Sequence, residues 1–324
     1  MNILIIGGSN FIGWWLVELL GRTDHSVTVI NRGNHERPYP SNVTHHSADR
    51  NDFNAMAEAV GNTVYDVAFD MCGFVESDME HTVALFGEHT KKYVFISTAA
   101  TYLEPLILPI TEGHPQGVHG AWGKYGSDKL ACEQVLLSAY EESGFPAIIV
   151  RPSYVYGVGN VVEHETFLFD RISKGRTILI PGDGEAVIQL GEVSDLCRAL
   201  LSIAETPKGF GQCYNISGNE LVTLKSLVAL VAKIVGKNYK TIHTSPKDYG
   251  MTDRDIFPFD NCTYFTTSDK FSKDFGWSPV VSLTDGLTGA YNEWLNSADQ
   301  LKTDYEHEDT VLAKLLGRKE VHTQ

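Results

Sequence analysis

Short, nearly all-apolar runs alternate with longer amphipathic stretches through the first 150 or so residues of the chain. The runs NILIIG, HSVTVIN, NVTHHSAD, YDVAFDM, KKYVFIST and PAIIVRP read as strands. WWLVELL after Gly13 and YGSDKLACEQVLLSAYEESG carry apolar residues at helical spacing, and the second stops at Gly144. Continuously apolar strands separated by helix-length segments imply βαβ units around a parallel sheet covered on both faces. The fold class expected is therefore α/β, a Rossmann-type doubly wound parallel sheet with a smaller C-terminal mixed α/β lobe. Beyond Pro152 the pattern loosens into a helix at ETFLFDRISKG, a strand at TILIPG, a helix at SDLCRALLSIAE, a strand at QCYNISG and a helix at TLKSLVALVAKIVG. The expected division is 1–152 for the nucleotide-binding domain, 153–298 for the substrate lobe and 299–324 for a charged, partly helical tail, with some later segments free to return to the first domain.

Composition narrows the function classes. A chain of 324 residues with a formal net charge of −15 has no basic footprint for DNA or an anionic membrane. Cys72, Cys132, Cys197, Cys213 and Cys262 show no CxxC and no metal-like spacing, so reduced, mostly buried thiols in a cytoplasmic protein are expected and no metal site is. The opening apolar run ends at Gly7, too soon for a signal peptide, and no apolar stretch is long enough to span a bilayer.

The opening segment carries the first chemistry. In GGSNFIG, a strand runs into a glycine turn and then a helix, which aims backbone N–H groups and the positive end of a helix dipole at a diphosphate. Gly7 allows the turn, Gly8 the close approach and Gly13 the packing of helix on strand, with Ser9, Asn10, Phe11 and Ile12 completing the loop. Asn10 stands where a third glycine is usual, and asparagine tolerates unusual backbone angles. The second strand ends in Asn31 and Arg32 and not in the acidic residue that would bind an NAD ribose, so NADP is favoured over NAD unless Arg32 is simply solvated. Asp49, followed by Arg50, closes the third strand, either facing an adenine or ending the strand.

Tyr125 and Lys129, in YGSDK, stand one helical turn apart. A lysine ammonium beside an oxidised nicotinamide favours phenolate, so the tyrosine pKa is expected to fall from about 10 toward neutrality and yield an acid/base. The preceding strand, YVFISTAATY, brings Thr98 to the same substrate oxygen.

GGSNFIG, YVFISTAATY, YGSDK and RPSYVYG, in this order, resemble the extended short-chain dehydrogenase/reductases of the NAD-dependent epimerase/dehydratase group, from Met1 to about Leu287. The pairing of GGSNFIG with NRG is most similar to an atypical branch that also contains chloroplast RNA-binding relatives. The resemblance implies Thr98, Tyr125 and Lys129 as the catalytic set, an NAD(P) cofactor bordered by Met71, Cys72 and Gly73, and Pro152, Ser153, Tyr154 and Val155 along the nicotinamide. It also implies a nucleotide-sugar substrate and a homodimer built on two helices, one carrying Tyr125. Two departures matter. Ala99 and Ala100 replace the acid and base of 4,6-dehydratases, and Ile188 stands where many members have a diphosphate-binding arginine, for which Arg176 or Arg254 is a substitute unless solvated. His119, with Glu112 and His114 in the long loop 103–123, and His164 are further substrate-side candidates or plain surface polar residues. Three functions follow: an epimerase or oxidoreductase of a nucleotide-linked sugar, a non-catalytic or RNA-binding relative, or a reductase of a non-sugar carbonyl.

Overall fold

The computed structural model describes residues 1–34, 38–297 and 304–321. In chain order the first half contains β1 (Asn2–Ile6), α1 (Phe11–Leu20), β2 (Ser26–Asn31), β3 (Val43–Ser47), α2 (Phe53–Val60), β4 (Val67–Asp70), α3 (Glu76–Phe86), β5 (Tyr93–Ile96), α4 (Gly123–Ser143) and β6 (Ala147–Pro152). There follow β7 (Tyr154–Tyr156), α5 (Glu165–Ser173), β8 (Thr177–Pro181), β9 (Val187–Glu192), α6 (Val193–Glu205), β10 (Gln212–Ile216), β11 (Leu221–Thr223), α7 (Leu224–Val235), β12 (Lys240–Thr244), α8 (Asp269–Phe275), α9 (Leu283–Asn296) and α10 (Glu306–Val321).

Seven strands make one sheet in the order β10-β6-β5-β4-β1-β2-β3, with every neighbouring pair parallel. Strand order reverses beside β1, and in such sheets the crevice outside the carboxyl ends of the strands at the reversal is where ligands bind. The two-residue period of β1 supplies both faces: Ile3 and Ile5 pack with Leu16, Val17 and Leu20 of α1 and Leu196 and Leu200 of α6. Leu4 and Ile6 pack with Met56, Met79, Cys132 and Leu136 on the other side. Each such buried aliphatic contributes roughly 1.5–3 kcal/mol. β3 departs from the expected apolar strand: after Val43 its residues are exposed, because as the last strand of the sheet it pairs with β2 alone.

The chain divides into two units at places other than those expected. The first holds residues 1–155, 190–219 and 265–281, so half of β9 and all of α6, β10 and α8 belong with the nucleotide-binding sheet and not with the second lobe. They do so because β10 pairs with β6, placing Tyr214 opposite Val150, and α6 covers the sheet beside α1. The second unit holds residues 156–189, 220–264 and those from Ser282 onward. There β8 pairs in parallel with β12, β9 pairs antiparallel with β11, and α5, α7 and α9 pack together around Leu168, Phe169, Leu227, Val228 and Leu287. The tail is part of this unit. Glu308 of α10 makes a buried, two-point ion pair with Arg171 at 2.6 and 2.9 Å, and Val311 is fully buried. Residues 299–303 and 322–324 of the expected tail lie outside the described residues.

Candidate functional site

The glycine loop joins β1 to α1 as the sequence predicts. Gly7 has φ +94°, and a Cβ on Gly13 would come within 2.5 Å of the Gly7 carbonyl oxygen, so the helix start lies directly on the turn. Ser9 and Ile12 fall within this segment. The strained backbone sits one residue later than expected. Asn10 is an extended N-cap, φ −130°, and Phe11 takes φ +34°. The cradle fits a dinucleotide diphosphate: backbone approaches closely where side chains would fill the space, and α1 begins there.

At the second strand end, Asn31 is held on three sides. Its amide donates to Tyr39 Oη at 3.0 Å, and its oxygen accepts from the Gly33 amide at 2.8 Å and meets His45 Nε2 at 3.0 Å. Arg32 beside it is exposed. Asp49 closes a local turn, accepting from the Asn51 amide at 3.0 Å. Arg50, expected among the cofactor-binding residues, is turned inward. Its guanidinium donates to both carboxylate oxygens of Asp70 at 2.8 and 3.0 Å. Asp70, fully buried, also accepts from Tyr93 Oη at 2.5 Å and the Cys72 amide at 2.9 Å. Burial opposes its charge, but Arg50 and these two donors hold the carboxylate below its ordinary range. Met71, Cys72 and Gly73 extend β4 beside the glycine loop, where a Cβ on Gly7 would meet Cys72 Sγ at 3.1 Å. Burial pushes the Cys72 thiol up to about 12, so it is no thiolate at neutral pH.

Thr98 follows β5 and caps a turn over residues 99–101, accepting from the Ala100 amide at 3.2 Å. Gly126 sets α4 against this turn, where a Cβ would come within 2.3 Å of the Ala100 carbonyl oxygen. The approach brings Tyr125 to Thr98, whose hydroxyl acts on the phenol in the direction that lowers its pKa. One turn further, Lys129 is buried, with Nζ donating to the carbonyls of Gly73 at 2.7 Å and Ile96 at 2.6 Å and lying 4.1 Å from the Phe95 ring centroid. Burial pulls its pKa down to about 8, against the favourable charges of Asp70 and Glu133. In its protein surroundings alone the tyrosine pKa is raised. Tyr125 is 49% exposed, yet burial by the surrounding protein raises its pKa, and Thr98 works in the other direction. The reason is where Lys129 points: its charge is directed to two main-chain carbonyls and does not enter the balance at the phenol.

Beneath this set runs a buried polar network that sequence reasoning missed. Glu133, one turn beyond Lys129 on α4, accepts from Ser97 Oγ at 2.5 Å, Gln116 Nε2 at 2.9 Å, and Arg151 Nε and Nη2 at 2.9 and 2.6 Å. Arg151 continues to Tyr102 Oη at 2.8 Å, and Tyr102 donates to Asn215 at 2.8 Å. Glu112 of the long loop accepts from the Asn215 amide at 2.9 Å. The signals were present: an arginine inside the apolar run AIIVRP needs a buried partner, and Glu133 shares the helix face of Tyr125 and Lys129.

Pro152 ends β6, the Ser153 amide donates to the Ile216 carbonyl at 3.1 Å, Val155 packs on the sheet, and Tyr154 meets Trp122 edge-on at 5.5 Å. The other candidates have structural partners. His119 is buried in the turn before α4, with Nδ1 accepting from the Ala121 amide at 3.0 Å. His164 stacks on Phe259 at 5.3 Å. Arg176 pairs with Asp309 and lies 3.9 Å from the Tyr305 ring centroid, so it anchors α10. Arg254 staples its own loop, with Nε to Asp260 at 2.8 Å and Nη1 to the Pro258 carbonyl at 2.9 Å. Ile188, where the family arginine was looked for, is buried. Among the described residues, no group of His, Cys, Asp and Glu is placed to hold a metal ion, and no helix is long and apolar enough to cross a membrane.

Comparison with known proteins agrees with this architecture. The chain is 29% identical to the chloroplast stem-loop binding protein of 41 kDa b from Arabidopsis thaliana, covering 97% of this chain and 85% of that one. It is 26% identical to a UDP-glucose 4-epimerase of Corynebacterium glutamicum, covering 86% and 91%. The crystal structure of the Thermotoga maritima UDP-glucose 4-epimerase with UDP-glucose superposes with a TM-score of 0.77 at 21% identity, covering 91% of this chain and 99% of that one, and so shares the fold. The NAD dependent epimerase/dehydratase family model matches residues 3–217, which include the glycine loop, Thr98, Tyr125 and Lys129. With two thirds of its length matched and a Rossmann-type sheet in place, this chain is a member of the NAD dependent epimerase/dehydratase family.

Proposed function

We propose that the protein carries out NAD(P)-dependent oxidation and reduction at a hydroxyl or ketone of a nucleotide-linked sugar, with Thr98, Tyr125 and Lys129 as the working set. The observation that carries this reading is the placement of the Thr98 hydroxyl where it acts on the Tyr125 phenol, with the Lys129 ammonium one helical turn beyond. Thr98 orients the substrate oxygen, and Tyr125 takes its proton and returns it. Two of the three Lys129 N–H groups hold main-chain carbonyls, leaving one for a ribose hydroxyl. A bound nicotinamide supplies the hydride acceptor and donor. The exposed Arg32, and an Asn31 fixed in place of a carboxylate, favour NADP over NAD.

Epimerisation or ketone reduction fits better than 4,6-dehydration. Ala99 and Ala100, 4% and 7% exposed, carry no group that can give or take a proton where the 4,6-dehydratases have their acid and base. A homodimer through α3 and α4 is inferred from the family resemblance; the open groove between their outer faces mixes Val83, Val135 and Ala139 with Glu76, Glu80 and Glu142. Replacing Tyr125 with Phe tests the reading: turnover of UDP- and dTDP-sugars should drop by orders of magnitude while NADP or NAD still binds. Normal turnover in that variant would reject it.

The stem-loop binding relative, matched over nearly the whole chain, supports a second reading in which the nucleotide lobe serves RNA binding. Salt-dependent RNA binding near physiological ionic strength, with no turnover of any sugar nucleotide, would favour that reading.

A further inference from the structure

The Arg50–Asp70 pair takes no part in the chemistry proposed above, yet it is buried at the strand ends directly behind it. Burying an ion pair is costly and is weak evidence of a stabilising role. Its position is more informative. Asp70 Oδ2 lies 3.1 Å from where a Cβ on Gly73 would stand, and the carbonyl of Gly73 is one of the two that hold Lys129 Nζ. The carboxylate and the ammonium therefore flank one residue. The hydrogen bonds of Lys129 run to neutral carbonyls, and its near neighbours include the Phe95 and Phe74 rings. The charged or titratable groups that face it are Asp70 from β4, Cys132 and Glu133 from its own helix, and Arg50 from the segment after β3. Glu133 is matched by Arg151.

We propose that Asp70 is a positioning residue for Lys129: by accepting from the Cys72 amide it fixes the turn into Gly73, whose carbonyl orients the ammonium, and it faces that ammonium with a negative charge, with Arg50 as the opposing charge. The proposal rests on the reading of Tyr125 and Lys129 as the catalytic pair. Asp70 acts most strongly of the groups that favour the ammonium, and Arg50 opposes it. Asp70→Asn keeps the side chain's shape and removes that charge, so Lys129 should lose its proton at a lower pH, by about one unit. The alkaline limb of kcat/KM should move to lower pH by the same amount, whereas a purely structural defect would lower the rate at every pH.

The experiment titrates the Lys129 side chain by NMR in protein labelled at lysine Cε, with the resonance assigned through Lys129→Arg, alongside the pH–rate profile. Because Asp70→Asn strands the Arg50 charge, Arg50→Met/Asp70→Asn is measured beside it, with a smaller shift in the same direction expected. An unchanged Lys129 titration in either folded variant overturns the proposal. If the wild-type protein turns over no sugar nucleotide, the proposed function fails, while the NMR titration still decides the role of Asp70.

Discussion

Gly126 on α4 stands against Ala100 with no space for a side chain between them, since a Cβ would lie 2.3 Å from the Ala100 carbonyl oxygen. Gly126→Ala should push α4 outward just beside Tyr125 and draw the phenol away from Thr98. Misplacements of about 1 Å in reacting groups can cost 10²-fold in rate. Steady-state kinetics should therefore show kcat lower by about 10- to 100-fold with nucleotide binding near normal. Unaltered kcat would mean that this contact does not set the alignment.

Lys129→Met should be stabilising at neutral pH and destabilising in alkali. The lysine pKa falls from 10.5 unfolded to about 8 folded. Below about 8 the ammonium is present in both states and its burial penalty is complete. Between about 8 and 10.5 the folded site loses its proton first and the penalty fades. The fall corresponds to about 3 kcal/mol, offset by about 1–2 kcal/mol for the Gly73 and Ile96 carbonyls left without a donor. Urea unfolding at pH 7 and pH 10.5 should show the sign of the effect reverse. The same effect at both pH values would rule out the cause.

Arg151→Met leaves Glu133 charged and buried, and Glu133→Gln leaves Arg151 likewise. Breaking such a pair from one side costs about 3–5 kcal/mol. The double variant should cost much less than the sum of the two, and a double-mutant cycle by urea denaturation measures the coupling. Additive losses would show that the two side chains act independently despite their two hydrogen bonds.

Arg171→Met should release α10. Glu308 loses its two-point partner inside the second unit, and the helix then rests on exposed contacts such as Arg176 with Asp309. Amide hydrogen exchange over 306–321 should accelerate by at least tenfold while β1 and β5 stay protected. Unchanged protection of α10 would assign its anchoring to Val311 and its apolar neighbours.

The parts of the fold legible in the sequence are those carried by local pattern. The apolar runs of β1, β2, β4, β5 and β6, the glycine loop, and the spacing of Tyr125 and Lys129 depend on neighbours within one element. What the sequence hides is long-range partnership. Arg151 meets Glu133 across a strand and a helix, and Arg50 meets Asp70 across two strands. Such pairs become visible only once the sheet order is known. The return of α6 and β10 to the first sheet is hidden for the same reason: their own periodicity fits either lobe. The pKa of Tyr125 depends on how closely protein surrounds one oxygen and where an ammonium turns, which spacing along a helix does not encode. The exposed face of β3 follows from its place at the end of the sheet.

The return of the chain to its first sheet also bears on synthesis. β6 leaves the ribosome with the rest of the early strands, but its outer neighbour β10 and the covering helix α6 follow only after the first segment of the second unit, residues 156–189, has been made. Until then Ile148 and Val150 lack the cover of Val193, Leu196 and Leu200, and β6 presents an open edge of unpaired backbone groups. The nascent chain therefore passes through a stage in which its most apolar strands are sticky and uncapped. A fragment cut at Val155 would be frozen at that stage, so the nucleotide-binding half is not a separable module, and its solubility depends on residues that come after the segment 156–189 of the second unit.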